Sequence, residues 1–166
     1  MKIAVISDSH DNLANIVKAA DILKKEKIKT LLHCGDVCSP ATLSEILKAF
    51  PGRVQIVFGN ADSDRSGLAE VESKNHGRLK IQGESADIEI SGKKIAFCHS
   101  PESARGLAAR QKYDFVFYGH NHKPWEEKIG RTRLVNPGNL AGLLYRATLA
   151  VCDLKTGKLE LKILGR

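Results

Sequence analysis

The chain has 166 residues, of which 42% are hydrophobic and 27% are charged. This length suits one domain with a buried core, and this balance excludes an intrinsically disordered chain. No apolar run approaches the roughly 18–20 residues of a membrane-spanning helix, and the start of the chain lacks the features of a signal peptide. We therefore expect a single domain over residues 1–166, located in the cytoplasm and without a membrane partner.

The charge is basic: 26 Lys and Arg residues stand against 19 Asp and Glu residues, which gives +7. Such a charge attracts anions, including phosphate esters and nucleic acids. The positive residues are scattered, and aromatic residues make up 5% of the chain, too few for a base-stacking surface. A small anionic ligand is therefore favoured over nucleic acid, which the charge still allows.

The first half of the chain alternates strand-like and helix-like segments. In chain order they are a strand at 2–7, a helix from Leu13 to Leu23, a strand at 30–33, a helix from Ser39-Pro40 and a strand at 54–58. Either Asp11 or Asn12 can cap the first helix. This order predicts parallel strands that are joined by helical crossovers.

The second half is rich in short strand-like segments that are separated by glycine turns. They lie at 79–82, 86–90, 93–98, 115–118, 126–129, 133–135, 147–152 and 158–163, with a helix from Pro101 to about Gln111. Residues 61–77 are polar and predict a loop with a short helix. The chain as a whole predicts an α/β fold with two sheets and flanking helices.

Seven residues of types that bind metals follow the ends of predicted strands. They are Asp8, His10, Asp36, Asn60, His99, His120 and His122. A lone histidine at a strand end is more often structural, but a set of seven is hard to explain by folding alone. Buried carboxylates and imidazoles are costly unless they are paired or bind a metal. Since ligands bind at the carboxyl ends of parallel strands, we predict a metal site at this edge.

The residue types also indicate the metal. Imidazole, carboxylate and amide oxygen suit Mn, Fe, Ni or Zn, of which we favour Mn. Seven ligands are too many for one tetrahedral zinc ion. They fit two divalent ions about 3.5–4 Å apart that share a carboxylate.

Five sequence blocks resemble the calcineurin-like metallophosphoesterase superfamily, in particular its small single-domain bacterial and archaeal phosphodiesterases. The blocks are Asp8-Ser9-His10, Gly35-Asp36, Gly59-Asn60, Cys98-His99 and Gly119-His120-Asn121-His122, and the turn Asn136-Pro137-Gly138 also matches. The resemblance implies a four-layer α-β-β-α sandwich of two mixed β-sheets flanked by helices. It also implies a metal-dependent phosphodiesterase with a small phosphate-ester substrate.

The resemblance further implies a role for each ligand. Asp8, His10 and His122 hold one metal, Asn60, His99 and His120 hold the other, and Asp36 bridges the two. A metal-bridging hydroxide then attacks the phosphorus in line, which makes Asp36 and Asn60 catalytic. The amide nitrogen of Asn60 also binds the substrate phosphate.

Two positions depart from the family pattern. Many members have a histidine after the asparagine, where it assists the leaving group, but this chain has Ala61. Alanine cannot donate a proton, so we expect aryl diesters to be cleaved better than alkyl diesters. Asn139 stands where a serine is expected, which weakens the case for a phosphate contact from that turn.

Several other residues have two interpretations. His33 is interpreted as a core histidine or as support for a metal ligand, and the four cysteines as small buried residues. Trp125 and Tyr145 line either a groove or a subunit contact, and a homodimer is a reasonable expectation. The competing functions are a non-catalytic scaffold, like the retromer subunit that shares this fold, and a nuclease.

Overall fold

The computed structural model describes residues 1–165, which form eleven strands and four helices. The helices are α1 (Leu13–Lys25), α2 (Pro40–Ala49), α3 (Arg65–Ser73) and α4 (Pro101–Ala109). The first strands are β1 (Lys2–Ile6), β2 (Thr30–His33), β3 (Arg53–Ile56), β4 (Leu79–Ile81), β5 (Ser85–Ile90) and β6 (Lys93–Cys98). The others are β7 (Phe115–Phe117), β8 (Trp125–Ile129), β9 (Thr132–Asn136), β10 (Thr148–Asp153) and β11 (Leu159–Ile163).

The strands form two mixed sheets. The first has the order β11-β10-β1-β2-β3-β4, in which β1 to β4 are parallel and β10 runs antiparallel to both of its neighbours, β1 and β11. The second has the order β5-β6-β7-β9-β8, with a parallel centre and an antiparallel strand at each edge. Strand β4 precedes the hairpin strands in sequence, yet it pairs with β3 and so completes the first sheet.

Three apolar layers hold the elements together. Strand β1 contributes side chains to two of these layers. Ala4 and Ile6 pack with the helices α1 and α2, while Ile3 and Val5 pack between the two sheets. Successive side chains of a strand point to opposite faces, so a strand covered on both faces is apolar throughout. Ala104 of α4 packs on the other face of the second sheet. The predicted four-layer sandwich is therefore confirmed.

Capping residues set the helix starts. Asn12 caps α1 by accepting a hydrogen bond from the backbone of Asn15, which settles the choice between Asp11 and Asn12. Ser39 caps α2, and Pro40 occupies the first turn, where its missing N–H costs nothing. Within residues 1–165, no helix is long and apolar enough to cross a membrane. The cytoplasmic location stays a prediction, as does the single domain of residues 1–166, whose last residue lies outside the described range.

Replacing Asn12 tests how the start of α1 is held. Its Oδ1 accepts from Asn15, and its Nδ2 donates to the carbonyl of Ala141 at 2.9 Å. We expect Asn12→Ala to lower the free energy of unfolding by about 1–2 kcal/mol. Asn12→Asp keeps the cap and loses only the donor, so its loss in urea unfolding of the metal-free protein should be smaller. Equal losses for the two variants would contradict the capping role.

Candidate metal centre

All seven predicted ligands lie in loops that leave the carboxyl ends of strands. Asp8 and His10 follow β1, Asp36 follows β2, Asn60 follows β3, His99 follows β6, and His120 and His122 follow β7. Backbone hydrogen bonds join these loops: Asp8 donates to Gly35 at 3.0 Å and Gly119 donates to His99 at 3.1 Å. Both sheets therefore bring their polar strand ends to one edge of the sandwich.

The first group of side chains is Asp8, His10 and His122. The two imidazole Nε2 atoms lie 3.3 Å apart. The Oδ1 atom of Asp8 lies 3.4 Å from Nε2 of His122 and 3.8 Å from Nε2 of His10. Asp8 is fully buried, while His10 and His122 are half-buried, so the three donor atoms line a small site that opens to the surface.

The second group is Asn60, His99 and His120. The Oδ1 atom of Asn60 lies 3.0 Å from Nε2 of His99 and 2.9 Å from Nδ1 of His120. The two imidazole nitrogens are 3.2 Å apart. These three donor atoms therefore converge as closely as those of the first group.

Asp36 lies between the two groups. Its Oδ2 atom is 3.6 Å from Nε2 of His10 in one group and 3.4 Å from Nε2 of His99 in the other. Its Oδ1 atom accepts a hydrogen bond from the backbone of Ala61 at 2.8 Å. The carboxylate is thus held in place on one side and shared between the two groups on the other.

The hydrogen-bond chemistry of the second group calls for a cation. Nδ1 of His99 lies 2.8 Å from the carbonyl oxygen of Cys34, which can only accept. That nitrogen therefore carries a proton. Nε2 then faces Asn60 and Asp36 either with a second proton, when the imidazole is charged, or with a lone pair that a metal ion can take. Ligands at about 2.1 Å from one ion are about 3.0 Å apart in an octahedron and about 3.4 Å apart in a tetrahedron. The distances within the second group and between His99 and Asp36, from 2.9 to 3.4 Å, match this range, and the two contacts of His10 with Asp8 and Asp36 are slightly longer at 3.8 and 3.6 Å. The residues therefore fit divalent ions.

The backbone is strained at this site. Five of the seven ligands have left-handed φ angles: Asp8 (52°), His10 (39°), Asp36 (59°), His120 (73°) and His122 (60°). Residues other than glycine adopt this region rarely, and such strain clusters at functional sites. The loops are therefore shaped to aim side chains, at a cost to the stability of the fold.

Two glycines let the loops come close. A Cβ at Gly119 would overlap the hydroxyl of Ser7 and meet the carboxylate of Asp8, and a Cβ at Gly59 would overlap the carboxylate of Asp36. The glycines of the Gly119-His120 and Gly59-Asn60 blocks are thus required by close approach.

The two buried carboxyl groups have opposite pKa shifts. Burial raises the pKa of Asp8, because desolvation outweighs the opposing effects of the nearby Ser7 hydroxyl and imidazoles. Burial also acts to raise the pKa of Asp36, but the hydrogen bonds from His99 and Ala61 hold this pKa below its usual value. Asp36 is therefore the carboxylate that the surrounding groups keep ionised.

One supporting residue escaped the sequence prediction. Asp62 is buried, and its carboxylate accepts backbone hydrogen bonds from Asp36 at 2.9 Å, Cys38 at 2.7 Å and Gly59 at 2.7 Å. It therefore joins the loop that carries Asp36 to the loop that carries Asn60. The sequence signal that could have indicated this role is the position of Asp62, two residues after Asn60.

Other sequence interpretations have mixed outcomes. His33 is a buried residue whose nitrogens contact Ser9 Oγ at 3.1 Å and the backbone N–H of Gly35 at 3.2 Å, which confirms a core role. Burial lowers the pKa of His33 to about 3.

Cys34, Cys98 and Cys152 are buried as predicted. The prediction is wrong for Cys38, which is half-buried because it lies against the site, with its sulfur 3.4 Å from Nδ1 of His10.

Asn139 has a structural role. Its amide donates to the carbonyl of His122 at 3.1 Å, and its Oδ1 accepts from the backbone of Leu143 at 2.8 Å. The side chain is fully buried. It holds the His122 loop, which explains an asparagine at this position.

Known proteins are similar to this chain in sequence and fold. Residues 1–157 match the model of the calcineurin-like phosphoesterase superfamily domain. A curated phosphodiesterase of Methanocaldococcus jannaschii is 33% identical over 146 residues, which are 87% of each chain. A solved structure of a novel archaeal phosphodiesterase is 30% identical, covers 99% of this chain and 100% of its own, and has a TM-score of 0.91. Vps29 of Chaetomium thermophilum, at 17% identity, covers 98% of this chain and 94% of its own with a TM-score of 0.71, so it shares the fold.

The fold and the clustered donors define a metal-dependent phosphoester hydrolase. The chain belongs to the calcineurin-like phosphoesterase superfamily. The resemblance inferred from the five sequence blocks is thereby confirmed, as is the prediction of an enzyme.

Replacing Asp62 tests whether it positions the ligand loops. Asparagine offers one acceptor oxygen where the carboxylate receives three N–H groups, and its amide group would face other donors. We expect Asp62→Asn to weaken Mn²⁺ binding about 10–100-fold in calorimetric titration, as supporting residues of metal ligands typically do. The matched control is Asp64→Asn, since Asp64 caps α3 and asparagine caps equally well. Unchanged Mn²⁺ affinity in Asp62→Asn would exclude the positioning role.

Proposed function

We propose that this protein hydrolyses phosphodiesters at a centre of two divalent metal ions. The observation that carries the proposal is the arrangement of seven donor side chains as two groups around one shared carboxylate, that of Asp36. In this assignment Asp8, His10 and His122 hold one ion, Asn60, His99 and His120 hold the other, and Asp36 contacts both. Mn is the favoured metal, and Ni, Fe and Zn suit the same donor set.

The chain's own residues explain how a diester would be handled. The chemistry that two bound divalent ions supply is neutralisation of the anionic phosphate and a lowered pKa of water. Asp36 serves as an ionised ligand, because His99 and the backbone of Ala61 keep its pKa low. Asn60 is exposed, and its Oδ1 faces the imidazoles of His99 and His120. Its amide nitrogen is therefore the atom that donates to a phosphate oxygen.

The substrate class follows from charge and from relatives. The chain carries a net charge of +7, which favours an anionic ester over a neutral one. The relative from Methanocaldococcus jannaschii is a phosphodiesterase, and it matches this chain over most of both lengths. These observations support a small phosphodiester as the substrate.

Metal removal and the loss of Asp36 test the proposal together. We expect a chelator to abolish hydrolysis of an aryl phosphodiester, and Mn²⁺ or Ni²⁺ to restore it. Asp36→Asn should lower the rate by at least about 10³-fold, because the shared carboxylate charge is lost while the fold persists. The matched control is Asp21→Asn on the exposed face of α1, which should keep full activity. No turnover with any metal would favour a protein-interaction scaffold instead.

Ala61 predicts how the rate depends on the leaving group. An alkoxide needs a proton as it departs, and no acid stands at this position, whereas a phenolate leaves without one. We expect the wild type to cleave aryl diesters well and alkyl diesters poorly. Ala61→His should then raise the alkyl rate, by up to about 10²-fold, and change the aryl rate little. Equal wild-type rates on matched aryl and alkyl diesters, with chemistry rate-limiting, would count against this explanation.

A further inference from the structure

Strand β11 forms one edge of the first sheet and alternates apolar with charged residues. Leu159 and Leu161 lie opposite Cys152 and Ala150 of β10, which pack between the sheets. The charged residues therefore point to the other face, where Lys162 pairs with Glu26 at 2.9 Å. Leu161 is 45% exposed and Ile163 is 49% exposed, so the apolar side of this edge is uncovered.

The backbone of β11 also has free hydrogen-bonding groups. Leu164 donates to Ala147 at 2.9 Å, and Asp153 donates to Lys158 at 2.9 Å. In an antiparallel pair these bonds alternate along the strand, so the even-numbered residues of β11 face β10. The odd-numbered residues Leu159, Leu161 and Ile163 thus direct their N–H and C=O groups outward. Among residues 1–165 no strand pairs with them, and such an edge accepts another strand.

We propose that this edge pairs with β11 of a second copy of the chain. The two strands run antiparallel about a two-fold axis at Leu161, and they join the two first sheets into one. Leu161 then lies opposite Leu161 of the partner subunit, and Leu159 lies opposite Ile163 of the partner subunit. Glu160 lies opposite Lys162 of the partner subunit, and the symmetry repeats this pair. Opposite charges and apolar pairs in direct register stabilise antiparallel strands.

The charge pattern selects this register. A two-fold axis at Glu160 or at Lys162 would place that residue opposite its own copy, where like charges repel. A shift by one residue would turn the apolar face of one copy toward the charged face of the other. Only the axis at Leu161 keeps both charged residues paired and both apolar faces together.

The other sheet edges suit self-pairing less well. The middle residue of β4 is Lys80 and that of β8 is Glu127, and each would face its own copy. In β5, pairing about Asp87 or about Ile88 would place acidic side chains opposite one another. The edge at β11 is therefore the one whose central pairs are free of like charges.

The dimer would also cover an open cleft of mixed polar and apolar lining. The cleft has a volume of about 260 Å³, and Trp125, Leu159 and Leu161 line it between β8 and β11. The Trp125 side chain is 49% exposed beside the free edge. A second copy at β11 brings apolar side chains to this cleft, which matches the subunit contact considered for Trp125.

Charge reversal tests the proposal. We expect light scattering after size exclusion to give twice the chain mass for the wild type. Glu160→Lys and Lys162→Glu should each raise the dimer dissociation constant about tenfold or more. The double variant should recover the wild-type constant, since it restores opposite charges between the copies. It also restores the pair of positions 160 and 162 inside one chain, which are 2.7 Å apart in the wild type. Monomer and dimer share that pair, so the change in the dissociation constant reports the contact between copies.

A matched control and a second readout complete the test. Lys128→Glu changes the exposed edge strand β8 and should leave the dimer intact. In the unmodified protein, hydrogen exchange at the amides of Leu159, Leu161 and Ile163 should slow as the protein concentration rises. A monomer at every concentration would overturn the proposal. So would a dimer that Lys128→Glu weakens, or a double variant that stays as weak as the single variants.

Discussion

Two carboxylates, Asp8 and Asp36, are buried at the edge where strands of both sheets end. Among the described residues, the ion pairs of these two carboxylates are all with histidines. A buried carboxylate without a full positive partner is costly, and an imidazole is charged only when it is protonated. Divalent cations compensate such a cluster more completely than any of its neighbours can. Bound divalent cations would thus support both the stability and the chemistry of this polar edge.

The two sheets contribute unequal parts of this site, which explains why both must be present. Strands β1, β2 and β3 of the first sheet carry Asp8, His10, Asp36 and Asn60, while β6 and β7 of the second sheet carry the other three histidines. Each group of donors draws on both sheets. The packing of Val5 and Leu32 against Phe97 and Phe117 between the sheets therefore sets the distance between the ligands. The geometry of the candidate metal centre therefore depends on the apolar core between the sheets.

The sequence predicts this site well because its signals are local. A buried strand that ends in aspartate or histidine places that residue at the carboxyl edge, and the blocks such as Gly119-His120 mark the sharp turns. Asp62 could not be predicted in the same way, because its three bonds reach backbone groups as distant as Asp36, 26 residues away. The position of β4 also depended on tertiary pairing with β3 rather than on its own pattern. What the sequence leaves out is the contacts between loops.

The cost of the strained backbone bears on whether the site is catalytic or belongs to a non-catalytic scaffold. Left-handed backbone at residues such as Asp8 and His122 costs about 1 kcal/mol or more at each position. A scaffold that offers only a surface would have no use for this strain or for buried carboxylates, and stability would improve without them. In this chain the strained turns bring the donor atoms of both groups together at one edge of the sandwich. Metal binding would offset the cost of this strain, which favours the proposed hydrolase over a non-catalytic scaffold.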